Sequence, residues 1–286
     1  MISVLSWNIQ NGKGVDGVVS LQRIAEVIVK MGSADVICLQ EISRGLSWQD
    51  GGQATDQIKE LTGLFPEFEV LFGVAVDAAS AESSDRWQFG NAILSRIPLL
   101  SVQHHILPRP AVTGVRHMTR QATEIVVGSR QSPLRIVNLH LEYHSLLQRA
   151  AQIEKLREIQ FEAAMENAIP PKADRDGPYQ AVHRPVDAIY CGDFNMLVGS
   201  SEYERMVSEF GEGVDHVKDA WTIAYPDRDH DPTCGIHDHQ SWPEGPHCRD
   251  FFFVGGECAR QVQSFHVDVD TDASDHQPLR ICLERD

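Results

Sequence analysis

Carboxylate, amide and imidazole side chains stand again and again just past the carboxyl ends of apolar runs in this chain. Asn8 follows Val4-Leu5-Ser6-Trp7, Glu41 follows Val36-Ile37-Cys38-Leu39-Gln40, and His140 follows Ile136-Val137-Asn138-Leu139. Asp193 and Asn195 follow Ala188-Ile189-Tyr190-Cys191-Gly192, Asp275 and His276 come a short loop after Val269, and Asp250 opens a run in Arg249-Asp250-Phe251. Oxygen ligands of this kind are what Mg²⁺ and Mn²⁺ prefer, and a histidine beside a carboxylate is an oriented proton carrier. Hydrolysis of a phosphate ester asks for an in-line water, neutralised charge on the phosphate oxygens and help for the leaving oxygen, and these residue types cover all three. Singly, each has a plainer reading: Asn8 as a loop cap, Glu41 as an exposed carboxylate, His140 as a satisfied core histidine, Gly192-Asp193-Phe194-Asn195 as a turn. The ordered set carries the argument, because strands lying side by side would bring these ends to one polar cleft.

Short β-like runs recur over 2–7, 34–40, 68–76, 91–94, 123–127, 134–139, 186–191, 250–254, 262–269 and 279–283. Several are continuously apolar, whereas Phe265, Val267 and Val269 alternate with His266, Asp268 and Asp270, as in a strand with one wet face. Leu21, Ile24, Ala25 and Ile28 followed by Gly32 predict a helix over 18–31. Ser145 and Gln148 form a candidate capping box for a second helix, which runs through Ala150, Ile153 and Leu156 and stops near Ile169-Pro170-Pro171. The Pro-rich stretch 170–185 reads as a surface loop within one β/α arrangement, so residues 1–286 are expected to form a single catalytic domain.

Lys and Arg number 25 against 41 Asp and Glu, a net charge of −16 that speaks against a broad basic surface for nucleic acid but leaves local contact open. It also suits carboxylates gathered round a divalent cation. Six cysteines in a chain of this length predict reduced thiols and no disulfide framework. The first residues lack a signal-peptide pattern and no apolar run approaches the roughly 20 residues that span a bilayer, so a cytoplasmic protein is expected.

Trp7-Asn8, Leu39-Gln40-Glu41, Asn138-Leu139-His140-Leu141, Gly192-Asp193-Phe194-Asn195, Arg249-Asp250-Phe251 and Ser274-Asp275-His276-Gln277-Pro278-Leu279, in that order, resemble the endonuclease/exonuclease/phosphatase superfamily, the deoxyribonuclease I-like metal-dependent phosphoesterases. The resemblance spans Leu5 to Leu283 and implies a four-layer α/β sandwich: two face-to-face, mostly antiparallel sheets with outer helices and a cleft at one edge. It implies that Glu41 is the principal ligand of a Mg²⁺ or Mn²⁺, with Asn8 and Asp275 near the same ion or a second one. Asp193 is similar to the group that orients or deprotonates the attacking water, and Asn195 to the residue that holds phosphate or water in line. His276 resembles the proton carrier, with Asp250 fixing its tautomer, and His140 the second histidine that donates to a phosphate oxygen.

The activity so implied is that of a nuclease-type phosphodiesterase acting on a phosphate ester, nucleic acid included. His140-Leu141-Glu142 also resembles a segment of tyrosyl-DNA phosphodiesterases in the superfamily. The alternatives are a phosphatase or phospholipase/sphingomyelinase-type member acting on an inositol phosphate, sphingolipid or nucleotide, and a non-catalytic binding module on the same fold. Arg120, at the start of a strand, has two readings, a phosphate contact or a plain surface arginine, and stays outside the expected catalytic core. Cys234, His237, His239, His247 and Cys248 crowd one loop without matching a standard zinc spacing. Trp242 in that loop, and Trp48 after Glu41, are candidate walls of a substrate pocket.

Overall fold

The computed structural model describes residues 1–32, 34–46, 55–80, 86–129, 131–174, 176–180, 184–210, 214 and 216–285. Its strands are β1 (Ile2–Asn8), β2 (Val36–Arg44), β3 (Glu69–Ala79), β4 (Arg86–Ser95), β5 (Leu99–Ile106), β6 (Gln121–Gly128), β7 (Pro133–His140), β8 (Ala188–Asp193), β9 (Lys218–Asp219), β10 (Asp250–Gly255), β11 (Val262–Val267) and β12 (Leu279–Leu283). The helices that matter for the site are α1 (Leu21–Lys30), α2 (Gln57–Leu64), α3 (Leu146–Ala168) and α4 (Ser201–Val207).

The strands form two six-stranded sheets, in the orders β11-β12-β1-β2-β4-β3 and β5-β6-β7-β8-β10-β9. Both follow one plan. Every pairing is antiparallel except β1 with β2 and β7 with β8. A parallel pair needs a crossover, which α1 supplies in the first sheet and α3 in the second. The carboxyl ends of each central pair therefore point the same way.

Strand alternation divides the apolar side chains into three layers. Val4, Cys38, Ile136, Cys191, Phe252 and Ile281 fill the space between the sheets. Leu5, Trp7 and Leu39 face outward against Ile24 and Ile28 of α1, and Val137, Leu139 and Tyr190 face outward against Ile153, Leu156 and Ile159 of α3. The result is the four-layer α/β sandwich that the resemblance implies, with helices on both outer faces. Among the described residues no helix is long and apolar enough to cross a membrane, and all six cysteines are buried free thiols.

Ser20 and Ser145 cap α1 and α3 through hydrogen bonds accepted from the backbone N–H of Arg23 and Gln148. The expected capping box at Ser145 forms only by half, since the Gln148 amide donates to the Pro110 carbonyl instead. The strand expected over 262–269 ends at Val267, because the Asp268 N–H turns to the Pro278 carbonyl.

Towards one edge the layer between the sheets turns polar. The Gln40 amide donates to Asn138 Oδ1 at 2.8 Å and Ser6 Oγ at 3.3 Å. Asn138 in turn donates to the carbonyls of Leu39 and Ala92 at 3.2 and 2.8 Å. All three side chains are buried, and their bonds tie β2 and β4 to β7 directly beneath the edge where the chemistry-bearing residues emerge.

Candidate active site

Register builds the second sheet's contribution. His140 pairs with Asp193 across β7 and β8, and Asp193 with Asp250 across β8 and β10, so three chemically active side chains share one row at the sheet's edge. Gly192 makes the row possible: at φ 142° a Cβ there would lie 1.9 Å from the Leu139 carbonyl oxygen. Past the strand, Asn195 turns in the left-handed region at φ 52°. Its N–H donates to Asp193 Oδ1 at 2.9 Å and its side-chain amide to the Leu141 carbonyl at 3.0 Å.

The first sheet brings Asn8, at the end of β1, and Glu41, in a bulge of β2. Leu39 pairs with Ala92 and Ile42 with Gly90, leaving Gln40 and Glu41 opposite Asn91. Glu41 stands at φ 60°, which re-aims its side chain out of the strand's alternation. One amide joins the sheets here: Asn8 Nδ2 donates to Asp193 Oδ2 at 3.0 Å and to Glu41 Oε1 at 3.2 Å.

His276 arrives from the loop before β12. Its Nδ1 lies 2.8 Å from Asp250 Oδ2, and its Nε2 3.8 Å from Asp193 Oδ2. Thr233 Oγ1 donates to the same Asp250 oxygen at 2.6 Å. The backbone is pinned as well: Trp7 Nε1 donates to the His276 carbonyl at 2.8 Å, and Ser274 Oγ donates to the Asn8 carbonyl at 2.8 Å while accepting from the His276 N–H at 3.3 Å. His140 Nε2 sits 3.3 Å from Asp193 Oδ2.

Charge sorts the two histidines into different forms. Burial, Arg120 and His276 press His140 down to about 3 against the pull of Asp193, so its ring is neutral near pH 7. The carboxylate only accepts, which assigns the proton to Nε2 and leaves Nδ1 as the acceptor face. Burial also opposes charge on His276, but the Asp250 and Asp193 carboxylates hold it well above the ordinary histidine range. Asp193 is buried too, and the two histidines and Asn8 keep it below the ordinary carboxylate value.

For Glu41 and Asp275 such compensation is outweighed. Burial and the charge of Asp275 push Glu41 up to about 7, with Asn8 countering, and burial raises Asp275. Two half-buried hard-oxygen groups, one of which opposes the other's ionisation, suit a divalent cation, so the donor set fits Mg²⁺ or Mn²⁺. Asp193, Asp250 and His276 also bring ligand atoms within 4.8 Å of one another. His276 Nδ1 and Asp250 Oδ2, however, are spent on each other, and the Asp193 oxygens on Asn8 and Asn195.

A sequence model of the Endonuclease/Exonuclease/phosphatase family matches residues 5–276. The chain belongs to that family. No curated protein matches it at a significant level. Among solved structures, the Bacteroides thetaiotaomicron mannosyl-6-phosphatase Bt3783 is similar at 19% identity and a TM-score of 0.67, covering 100% of each chain. An endonuclease/exonuclease/phosphatase from Bacteroides vulgatus is similar at 18% identity and a TM-score of 0.65, over 99% of each. Truncated TDP2 of Caenorhabditis elegans is similar at 20% identity and a TM-score of 0.60, over 98% of this chain and 96% of the other. Identities this low establish the shared fold.

Within this endonuclease/exonuclease/phosphatase fold the expected site residues gather at one edge, and sequence reasoning left some neighbours out. Arg120 is buried, not a surface residue: Nε donates to Glu142 Oε2 at 3.4 Å, and Nη1 is buried with no hydrogen-bond partner. Glu41 and Asp193 are among the charges that favour its ionised form. An arginine at the mouth of a strand that pairs with the His140 strand was the available signal. Thr233 was missed, and Trp7 and Ser274, though part of the quoted motifs, were given no role, because they act through backbone and oriented-hydroxyl contacts, which residue type does not reveal.

The expected alternatives for the Cys234–Cys248 loop separate. Cys234 Sγ lies 3.2 Å from His247 Nε2, whereas His237 bonds the Val269 carbonyl and Cys248 Sγ the Asp250 carbonyl. Among the described residues these side chains do not converge on a zinc position. Trp242 packs edge-on against the His276 ring, with centroids 5.5 Å apart, and so borders the site. Trp48 lies outside the described residues.

Proposed function

We propose that this chain is a divalent-metal-dependent phosphoric ester hydrolase, acting as one catalytic unit over residues 1–286, and that its substrate is a phosphodiester of the kind nucleases cleave. One observation carries the reading: a proton-handling array of Asp193, His276 and Asp250 meets the Glu41–Asp275 carboxylate pair at a single edge, with the Asn8 amide joining Glu41 to Asp193. Glu41 and Asp275, with Asn8 beside them, would hold Mg²⁺ or Mn²⁺; the ion's chemistry is to neutralise charge on phosphate oxygens.

Asp193 orients the attacking water and accepts its proton. Crowded by donors, it is a weak base, so orientation is the larger part of its role. His276 keeps Nδ1–H on Asp250 and turns Nε2–H towards the reacting phosphate, where it stabilises developing charge or protonates the leaving oxygen. Neutral His140 buttresses Asp193. Asn195 fixes the Asp193 carboxylate through its own N–H, a positioning role in place of a direct hold on phosphate. Arg120, whose ionised form Glu41 and Asp193 favour, would add positive charge beside the phosphate. Buried free thiols suit a reducing, cytoplasmic setting.

Metal-dependent turnover of bis-p-nitrophenyl phosphate beside p-nitrophenyl phosphate is the test. Faster cleavage of the diester, abolished by chelation, is expected. Preference for the monoester would move the assignment to a phosphatase, and inactivity on both with Mg²⁺ or Mn²⁺ present would overturn it.

A further inference from the structure

The Cys234–Cys248 loop has no helix, yet its polar side chains are spent on holding it still. Asp238 Oδ1 accepts from the N–H groups of Gln240 and Ser241 at 3.0 and 2.9 Å. His247 Nδ1 bonds the Gly245 carbonyl at 2.7 Å, and its Nε2 accepts from Arg249 Nε at 2.7 Å. Cys234 makes β-bridges to both His247 and His276, so the loop is locked to the segment that delivers His276. What it presents is Trp242, edge-on to His276 and, at 5.2 Å, to His247.

Arg249 extends this wall. Its guanidinium lies 5.0 Å from the Trp242 ring centroid and 5.5 Å from that of Tyr143. Its remaining nitrogens reach the Asn195 carbonyl at 3.4 Å and Glu244 at 3.5 Å. Tyr143, three positions past His140, stands edge-on to Trp242 at 6.0 Å and to His144 at 4.9 Å. It is nevertheless 41% exposed. A ring fixed by rigid neighbours, open to solvent and joined to His276 through Trp242, loses little freedom when another flat group stacks on it.

We propose that Tyr143, held in place by Trp242 and Arg249, is the stacking subsite for a planar group carried on the substrate's phosphate, either a nucleobase or an aryl ring. This rests on the phosphoesterase reading above. A planar group fits better than an alkyl chain because Tyr143, Trp242 and His276 form a run of edge-on rings with the Arg249 guanidinium beside the first two.

Calorimetric titration with Mg²⁺ present, in an Asp193→Asn background that suppresses turnover, provides the test. Phenyl phosphate is compared with methyl phosphate, and thymidine 5′-monophosphate with 2-deoxyribose 5-phosphate. Each planar ligand should bind about ten-fold more tightly than its counterpart. Adding Tyr143→Ala should bring each pair within about two-fold, and Tyr143→Phe should keep the difference; the pair with the larger ratio tells aryl ring from nucleobase. A difference that is absent, or that survives Tyr143→Ala, overturns the proposal, as does octyl phosphate binding more tightly than phenyl phosphate. If the planar preference alone is missing while methyl phosphate binds, the phosphoesterase reading stands. If no phosphate ester binds at all, both readings fall.

Discussion

Three nitrogens crowd one oxygen of Asp193: Asn8 Nδ2 at 3.0 Å, His140 Nε2 at 3.3 Å and His276 Nε2 at 3.8 Å. The other oxygen is fixed by the Asn195 N–H. A carboxylate so surrounded keeps its charge and its direction, so Asp193→Asn should lower kcat by about 10²- to 10⁴-fold on every substrate. His276→Ala should behave differently. If His276 assists the leaving oxygen, p-nitrophenolate, which departs without a proton, should rescue much of the loss, and single-turnover rates on activated and unactivated diesters would show it. Equal losses on both would mean that the two residues act as a unit. At Glu41 the expected change is in metal affinity: Glu41→Gln should keep the fold and weaken Mn²⁺ binding at least ten-fold, read by electron paramagnetic resonance independently of turnover. Wild-type Mn²⁺ affinity in that variant would remove Glu41 from the metal site.

At the scale of elements, the close approach of β7 and β8 should tolerate least change. Gly192→Ala places a methyl group against the Leu139 carbonyl at a strained φ, whereas Gly199→Ala, also at positive φ, meets open space. The first should cost roughly 2–4 kcal/mol and the second about 1 kcal/mol, compared by thermal unfolding. Equal losses would show that φ alone matters there. Site residues were legible in the sequence because each follows or opens an apolar strand, and a strand end has a fixed place in a sheet. What pairs with what was not. The bulge at Gln40 and Glu41 depends on Asn138 bonding the Leu39 and Ala92 carbonyls from the opposite sheet, a contact that no local pattern announces. β5 escaped notice because it is an edge strand with mostly exposed or half-buried side chains, and α2 because its eight residues bury only Gln57 and Leu61.

Over the whole molecule, the second sheet carries a buried charge cluster remote from the reacting groups. Burial would raise Glu124, but His105, Arg184 and Arg135 hold it down to about 2 from an ordinary 4.5. A depressed carboxylate contributes stability that is fully present above about 4.5 and is lost as pH falls through 2. The contribution is on the order of 3 kcal/mol. Urea unfolding of Glu124→Gln should therefore show lower stability at pH 7 and a shallower acid-side decline. An unaltered decline would mean that other carboxylates govern acid unfolding. The sandwich architecture was inferable only through its resemblance to a family; strand-like runs alone do not decide which of two sheets a strand joins.

Trp7 and His276, joined through an indole and a carbonyl, lie 269 positions apart, and Ser274 reaches back 266 positions to Asn8. During synthesis the amino end emerges first, so Asn8 and Glu41 leave the ribosome while the segment that must meet them is still unmade. Loop closure over such distances is slow and comes late. Catalytic competence is thus the last property this chain acquires: a nascent or half-refolded molecule holds Asn8 and Glu41 but has neither Asp275 beside them nor His276 beside Asp193. Recovery of turnover after dilution from denaturant should lag behind recovery of helical and strand signal, and the lag times the docking of the final strand.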